Sequence, residues 1–257
     1  VNMAARKPTG GAVATRRESL PVDVAALIER QKQAVMEKIG KPSGTVINIK
    51  QNKTMVLPSG DITSEPQEMV ILDFVSMNTL YDGVYDPNNV QPPICFAIGE
   101  NPDNLIASDA SPDKQSETCA TCPMNRYESA ARGKGKACKN MRVLAVMPVD
   151  ATDEDSIWLL RVSPTGLKAY DGYVRKLAQQ NGFAPIQVVT KIGFDPNEEY
   201  PSLRFAPAGA LDGDRLGFFV SRLEEAANLI RTEPDYSQYE LQDTKKPAGK
   251  KPAARRR

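Results

Sequence analysis

Four cysteines and no histidine constrain this chain more than any other feature of it. They stand at Cys95, Cys119, Cys122 and Cys138, separated by twenty-three, two and fifteen residues. The turn Cys119-Ala120-Thr121-Cys122 lets two thiolates approach one tetrahedral ion from the same side, and Cys95 and Cys138 would close the site from more distant segments. Without an imidazole, any metal here must be held by all four thiolates. Zinc is the expected ion, as a structural staple, and an iron–sulfur cluster is the alternative. Two disulfides, or four unrelated buried thiols, are the plainer readings. Disulfides need an oxidising compartment, and the segment Val1-Asn-Met-Ala-Ala-Arg-Lys7 lacks the apolar core of a signal peptide, so a cytoplasmic setting is expected.

The charge is segregated. The formal +1 of the 257 residues is the balance of seven cations at 245–257, four at 1–17 and a body of net −10 between them. Pro, Ala and Gly between the C-terminal cations leave nothing to pack, so residues 244–257 are expected to be a disordered basic tail and residues 1–20 a flexible basic arm. Such tails bind polyanions through counterion release, or serve solubility or nuclear import. No apolar run approaches the length of a membrane span, so no membrane partner is expected. A nucleic-acid site on the acidic body would have to be a local basic strip.

Between the tails, residues 21–243 read as one domain. Asp23 is placed to cap a helix over 24–39, stopped by Gly40. Short β-like runs follow at 45–50, 54–58, 69–77, 80–85 and 94–98, separated by Gly, Pro, Asn or Asp. The β pattern resumes at 141–148 and 156–162. A helix over 166–180, capped by Ser163 or Thr165, precedes strands at 185–194 and 202–207. The amphipathic stretch 214–231 reads as a final helix. Short strands with three scattered helices suggest an α+β, mainly β chain: a small barrel with peripheral helices. Residues 99–140 carry almost no periodicity, and such a stretch is implausible inside a compact domain unless something else orders it. Three of the four cysteines lie there, which supports a metal-stapled subdomain over 95–140.

The same stretch holds the basic strip. Arg126, Arg132, Lys134, Lys136, Lys139 and Arg142 are six cations within seventeen residues, with Tyr127 among them. Cations beside glycines can approach a phosphate backbone, and an exposed ring offers a face for a base to stack on. The plain alternative is a solvated loop. Of the aromatics near strands, Phe74, Phe96, Trp158, Phe194 and Phe205 are expected in the core; Tyr81, Tyr85 and Tyr200 are candidates for exposed stacking positions. Lack of histidine excludes a Ser-His-Asp triad, HExxH and the zinc deaminase motif, and neither a P-loop nor a GxGxxG fingerprint is present. Asp73, Asp82 and Asp86 could in principle hold Mg²⁺ for a nuclease. Four thiolates would leave a zinc ion no open position, so the metal reads as a scaffold and the protein as no enzyme.

The segment Pro93-Ile-Cys95 … Cys119-Ala-Thr-Cys122-Pro-Met-Asn125-Arg126 … Gly133-Lys-Gly-Lys136-Ala-Cys138-Lys-Asn-Met-Arg142 resembles the cysteine cluster of phage-encoded single-stranded DNA-binding proteins. These carry a zinc subdomain inserted in an oligonucleotide-binding (OB) barrel. The resemblance continues more weakly through Leu160-Arg-Val-Ser-Pro-Thr165 and the 187–194 strand. It implies an OB-like fold and a DNA replication or recombination protein that coats single strands in the host cytoplasm, with partners among replication or recombination proteins. Such proteins often end in an acidic tail that recruits partners, whereas this chain ends in Arg255-Arg-Arg257. Two other classes stay open: a zinc-scaffolded protein-interaction module acting on a recombinase or polymerase, and the Mg²⁺-dependent nuclease.

Overall fold

The computed structural model describes residues 30–31, 45–83, 91–131 and 133–233. The flexible arm, the basic tail, most of the 24–39 helix with its Asp23 cap, Tyr85, Asp86 and Arg132 lie outside them. Among the described residues nine strands form one mixed sheet: β1 (Val46–Ile49), β2 (Met55–Val56), β3 (Ile62–Thr63), β4 (Gln67–Leu80), β5 (Cys95–Gly99), β6 (Lys139–Pro148), β7 (Trp158–Val162), β8 (Val188–Phe194) and β9 (Leu203–Ala210). Among the described residues of 45–233, the α-helices α1 (Leu167–Lys176), α2 (Gly213–Ser221) and α3 (Leu223–Arg231) accompany it. The strand order is β3-β2-β1-β7-β6-β4-β8-β9, with β5 also paired to β4. The sheet curls like part of a barrel, and among the described residues no pairing joins its two ends. All neighbouring pairs are antiparallel except β1 with β7.

The 14-residue strand β4 organises the molecule. One of its edges pairs along its length with β6; the other pairs with β8 through Gln67–Val70 and with β5 through Ser76–Leu80. Its apolar run Met69-Val-Ile-Leu72 is buried on both sides, as a strand covered on two faces should be. Met69 and Ile71 face one cluster with Leu144, Leu160, Tyr170 and Ile192; Val70 and Leu72 face a second with Ala145, Met147, Phe219 and Ile230. A register shift between Ile71 and Asp73 then exchanges the parity of the strand. Beyond it, Val75 and Met77 join the second cluster, and Phe74 turns to the first. A bulge places two residues opposite one, so each side chain past it changes face relative to strict alternation.

Helix α1 covers the first face and α2 with α3 the second, giving a helix–sheet–helix layering. Tyr170 of α1 is fully buried, edge-on to Phe74 at 5.3 Å and to Phe205 at 5.1 Å between ring centroids. Tyr173 exchanges a 2.7 Å hydrogen bond with Thr190 of β8. Neither Ser163 nor Thr165 caps α1; their hydroxyls bond each other at 2.9 Å, and Gly166 occupies the cap position. The amphipathic 214–231 stretch is two helices, broken where Arg222 takes φ −95° and ψ 0°. The 80–85 run is no separate strand in its described part: Leu80 closes β4, and a turn follows. Among the described residues no helix is long and apolar enough to cross a membrane.

Candidate metal centre and its cationic rim

The described residues of 100–138 hold only short 3₁₀ turns and an isolated bridge between Ile106 and Thr118. Their order comes from side chains bonding backbone. Ser111 Oγ accepts from Phe96 N–H and donates to Phe96 C=O. Ser129 Oγ donates to the carbonyls of Met124 and Arg126 and accepts from Ala137 N–H. Asn125 Nδ2 donates to Cys119 C=O at 2.9 Å, and Asn125 N–H donates to Cys122 C=O, which closes the turn after the Cys-x-x-Cys pair. Cys119 N–H is held by Leu105 C=O and Cys138 N–H by Met124 C=O. The loop is tied to the end of α3 by Arg231 on Glu100 at 2.6 Å and by Ser108 donating to Glu233 at 2.7 Å.

This framework gathers all four cysteines. Cys95, at the start of β5, lines one small internal space together with Cys119, Cys122 and Cys138, walled by Asn78, Leu80, Ala107 and Met124. All four are buried and none forms a disulfide. The space is about 10 Å³, room for little more than one water-sized body. Among the described residues no three His, Cys, Asp or Glu side chains converge in metal-holding geometry. Burial pushes the Cys138 thiol up to about 12, helped by the nearby Cys119, Cys122 and Cys95 and opposed by Lys136. Burial also raises Cys119, against the hydrogen bond it receives from Asn78. Buried, mutually repelling thiolates are unfavourable without a cation among them, and that is the electrostatic setting a thiolate-bound metal relieves.

A pair of asparagines stands behind Cys119 that sequence reading did not find. Asn140 Nδ2 on β6 donates to Asn78 Oδ1 on β4 at 2.5 Å, and Asn78 in turn bonds the Cys119 sulfur. The two asparagines are directly opposite in the β4–β6 register, sixty-two residues apart in sequence. No local signal links them; their pairing follows from strand register alone.

The cationic loop lies over this cluster. Tyr127 is 77% exposed and Lys136 Nζ stands 5.4 Å from its ring centroid. Lys136 also donates to Asn125 Oδ1, and Lys139 to Lys136 C=O. Among the described residues Arg126, Lys134, Lys136 and Lys139 make no ion pair, whereas Lys114 on the preceding turn is paired with Asp109 and Glu117. Glu128 and Gly133 take the left-handed φ values, 68° and 75°, that fold the loop back on itself. Arg142 departs from the expected strip. It sits on β6, its side chain 12% exposed, with Nη2 3.1 Å from Asp171 of α1. Strand β6 begins at Lys139, earlier than the apolar run suggested, and carries Arg142 onto the sheet.

Tyr81 and Tyr200 are 44% and 45% exposed, as expected of stacking candidates, but they lie on other loops. Asp73 Oδ1 accepts from Phe74 N–H at the bulge. No protein-family model matches the chain, and no curated protein or solved structure matches it either.

Proposed function

We propose that this chain is a non-enzymatic single-stranded DNA-binding protein of OB type, with one zinc ion stapling the 95–140 subdomain. The observation that carries the reading is the loop over the thiol cluster. An exposed tyrosine stands beside a lysine, and four cations without ion-pair partners among the described residues crown a body that is otherwise acidic. Cations that spend no charge on neighbouring carboxylates remain available to phosphates, and an exposed ring stacks on any base without reading its edge. Single strands offer both partners at once; duplex DNA hides its base faces.

Cys95, Cys119, Cys122 and Cys138 would hold the zinc, and the ion's chemistry is confined to replacing the core the loop lacks. Asn78 would orient the Cys119 sulfur, as groups behind metal ligands commonly do. The curled sheet supplies the barrel-like wall beside the loop, in keeping with the OB reading. The acidic body keeps strands on that path. The basic tail would add affinity that ignores sequence and strandedness.

The test is a salt titration of binding to a fluorescent oligothymidylate and to a duplex of equal length, with full-length protein and with a chain ending at Asp243. Tight, single-strand-selective binding that survives loss of the tail is expected. Replacing Lys134, Lys136 and Lys139 by Ala together should lower the salt slope by up to about three ions. Binding that vanishes with the tail, or a slope unchanged in the triple variant, would favour the protein-interaction module instead.

A further inference from the structure

Next to the thiol cluster, where α1 ends over the sheet, lies a second feature that none of the sequence motifs announced. It is a cleft of about 320 Å³ between Phe74 and Ser76 of β4, Arg142 of β6, and Asp171, Arg175 and Gln179 of α1 and the turn after it. That volume is at the lower end of the range for small-ligand pockets. Its floor is unusual. The Ser76 side chain is 1% exposed, and its hydroxyl has no hydrogen-bond partner among the described residues. A buried hydroxyl left unpaired is unfavourable, so it calls for an explanation.

The lining indicates what would supply the missing partner. Arg142 and Asp171 neutralise one another across 3.1 Å, so together they offer donors and acceptors without net charge. Gln179 adds one of each kind. Glu100 on the rim is engaged by Arg231. Phe74 is only partly buried: Tyr170 meets it edge-on, and the ring contributes an apolar wall to the cleft. Arg175, exposed on the rim, has no ion-pair partner among the described residues. A free anion inside the cleft would find the Arg142 guanidinium already committed to Asp171. A flat, uncharged heterocycle with donors and acceptors on its edge, attached to a phosphate that reaches the rim, matches every wall.

Position adds to the match. Arg142 follows Asn140 on the same face of β6, about 7 Å further along the strand, and Asn140 belongs to the relay behind Cys119. Lys139 opens the same strand three residues before Arg142, on the opposite face, so the cationic rim and the cleft share one strand. We infer that the cleft takes one unstacked nucleotide of the bound strand. Its base would lie against Phe74 with its edge toward Arg142, Ser76 and Gln179, and its phosphate would meet Arg175. This rests on the single-strand reading above and deepens it. The Ser76 hydroxyl would find its partner on the base once the strand is seated.

Two variants and one competitor test it, all in the full chain. Ala178→Trp places a bulky group at the exposed rim without changing charge, and Ser76→Ala removes only the unpartnered hydroxyl. Both proteins should melt no lower than wild type, because neither loses a bond present in the free state. Affinity for oligothymidylate should fall about tenfold or more for Ala178→Trp, and about three- to tenfold for Ser76→Ala, the size of one hydrogen bond. Wild-type affinity in both variants would overturn the cleft while leaving single-strand binding intact; absence of strand binding by wild type would instead overturn the proposed function. Thymidine 5′-monophosphate, followed by NMR, separates the sources. Shifts of Phe74 and Gln179 that also occur with the oligonucleotide support the proposal. Shifts with the mononucleotide alone would assign the cleft to a free nucleotide and overturn it.

Discussion

The sheet and the cysteine loop solve the same problem by opposite means. In the sheet, β4, β6 and β7 bury apolar side chains on both faces, and residues such as Val70, Leu144, Val146 and Leu160 are fully shielded between helices. Order there comes from removing apolar surface from water, worth about 25 cal/mol per Å². The loop between β5 and β6 has few such residues: Leu105, Ala107, Met124 and Ala137 beside the four cysteines. Its backbone is held by serine and asparagine side chains, and its centre is a set of thiols whose ionised forms repel one another. On the zinc reading proposed above, the sheet stands without a ligand, while the loop relies on the ion at its centre. A chain divided this way can stabilise its fold in one region and leave the other free to carry charge for a partner.

The sharpest way to break that division is Cys119→Ser. Structural zinc contributes on the order of 10 kcal/mol to the fold around it. The variant is expected to lose its metal and the hydrogen-exchange protection of residues 100–138, while the amides of β4, β6 and β7 stay protected. A uniform loss across the sheet would mean that the two regions are one cooperative unit.

Leu160→Ala is the reciprocal cut. A fully buried leucine removed from the first cluster should cost about 2–5 kcal/mol of global stability. Zinc stoichiometry in the folded protein should be unchanged, as read by denaturant melts and metal analysis together. Asn78→Ala should act in between. It leaves all four thiols but removes the donor to Cys119, so zinc affinity measured against a competing chelator is expected to fall about 10- to 100-fold. Equal affinity would remove the Asn140–Asn78 relay from the site. The smallest effect belongs to Tyr170→Phe. Its hydroxyl is buried without a hydrogen-bond partner among the described residues, so the melting temperature should stay level or rise, by no more than about 1–3 kcal/mol of stability. A clear loss of stability would mean that the hydroxyl has a partner in solution.

Much of the sheet is legible in the sequence because β4 and β6 are long apolar runs bounded by turn residues. The cysteine cluster is legible because spacing and the lack of histidine leave few alternatives. What escaped was register. The bulge between Ile71 and Asp73 changes which of Phe74, Val75 and Ser76 faces α1, and no pattern of single residues announces a bulge. Arg142 read as a loop cation because the apolar run begins at Met141; strand pairing starts at Lys139 and turns the arginine toward Asp171. The break at Arg222 escaped because 214–231 keeps one apolar face through both helices, so its periodicity hides the kink. Asn78 and Asn140 pair only once β4 and β6 are aligned, and the cleft over Ser76 exists only after α1 is laid across them.

The most direct test of the division is metal analysis of the purified full-length protein, followed by substitution with Co²⁺ and its visible spectrum. One zinc per chain is expected, displaced by Co²⁺ with the strong thiolate charge-transfer bands of a tetrahedral four-sulfur site, and lost in Cys119→Ser. A protein that is folded through residues 100–138 while free of metal, with four thiols open to titration, would contradict it.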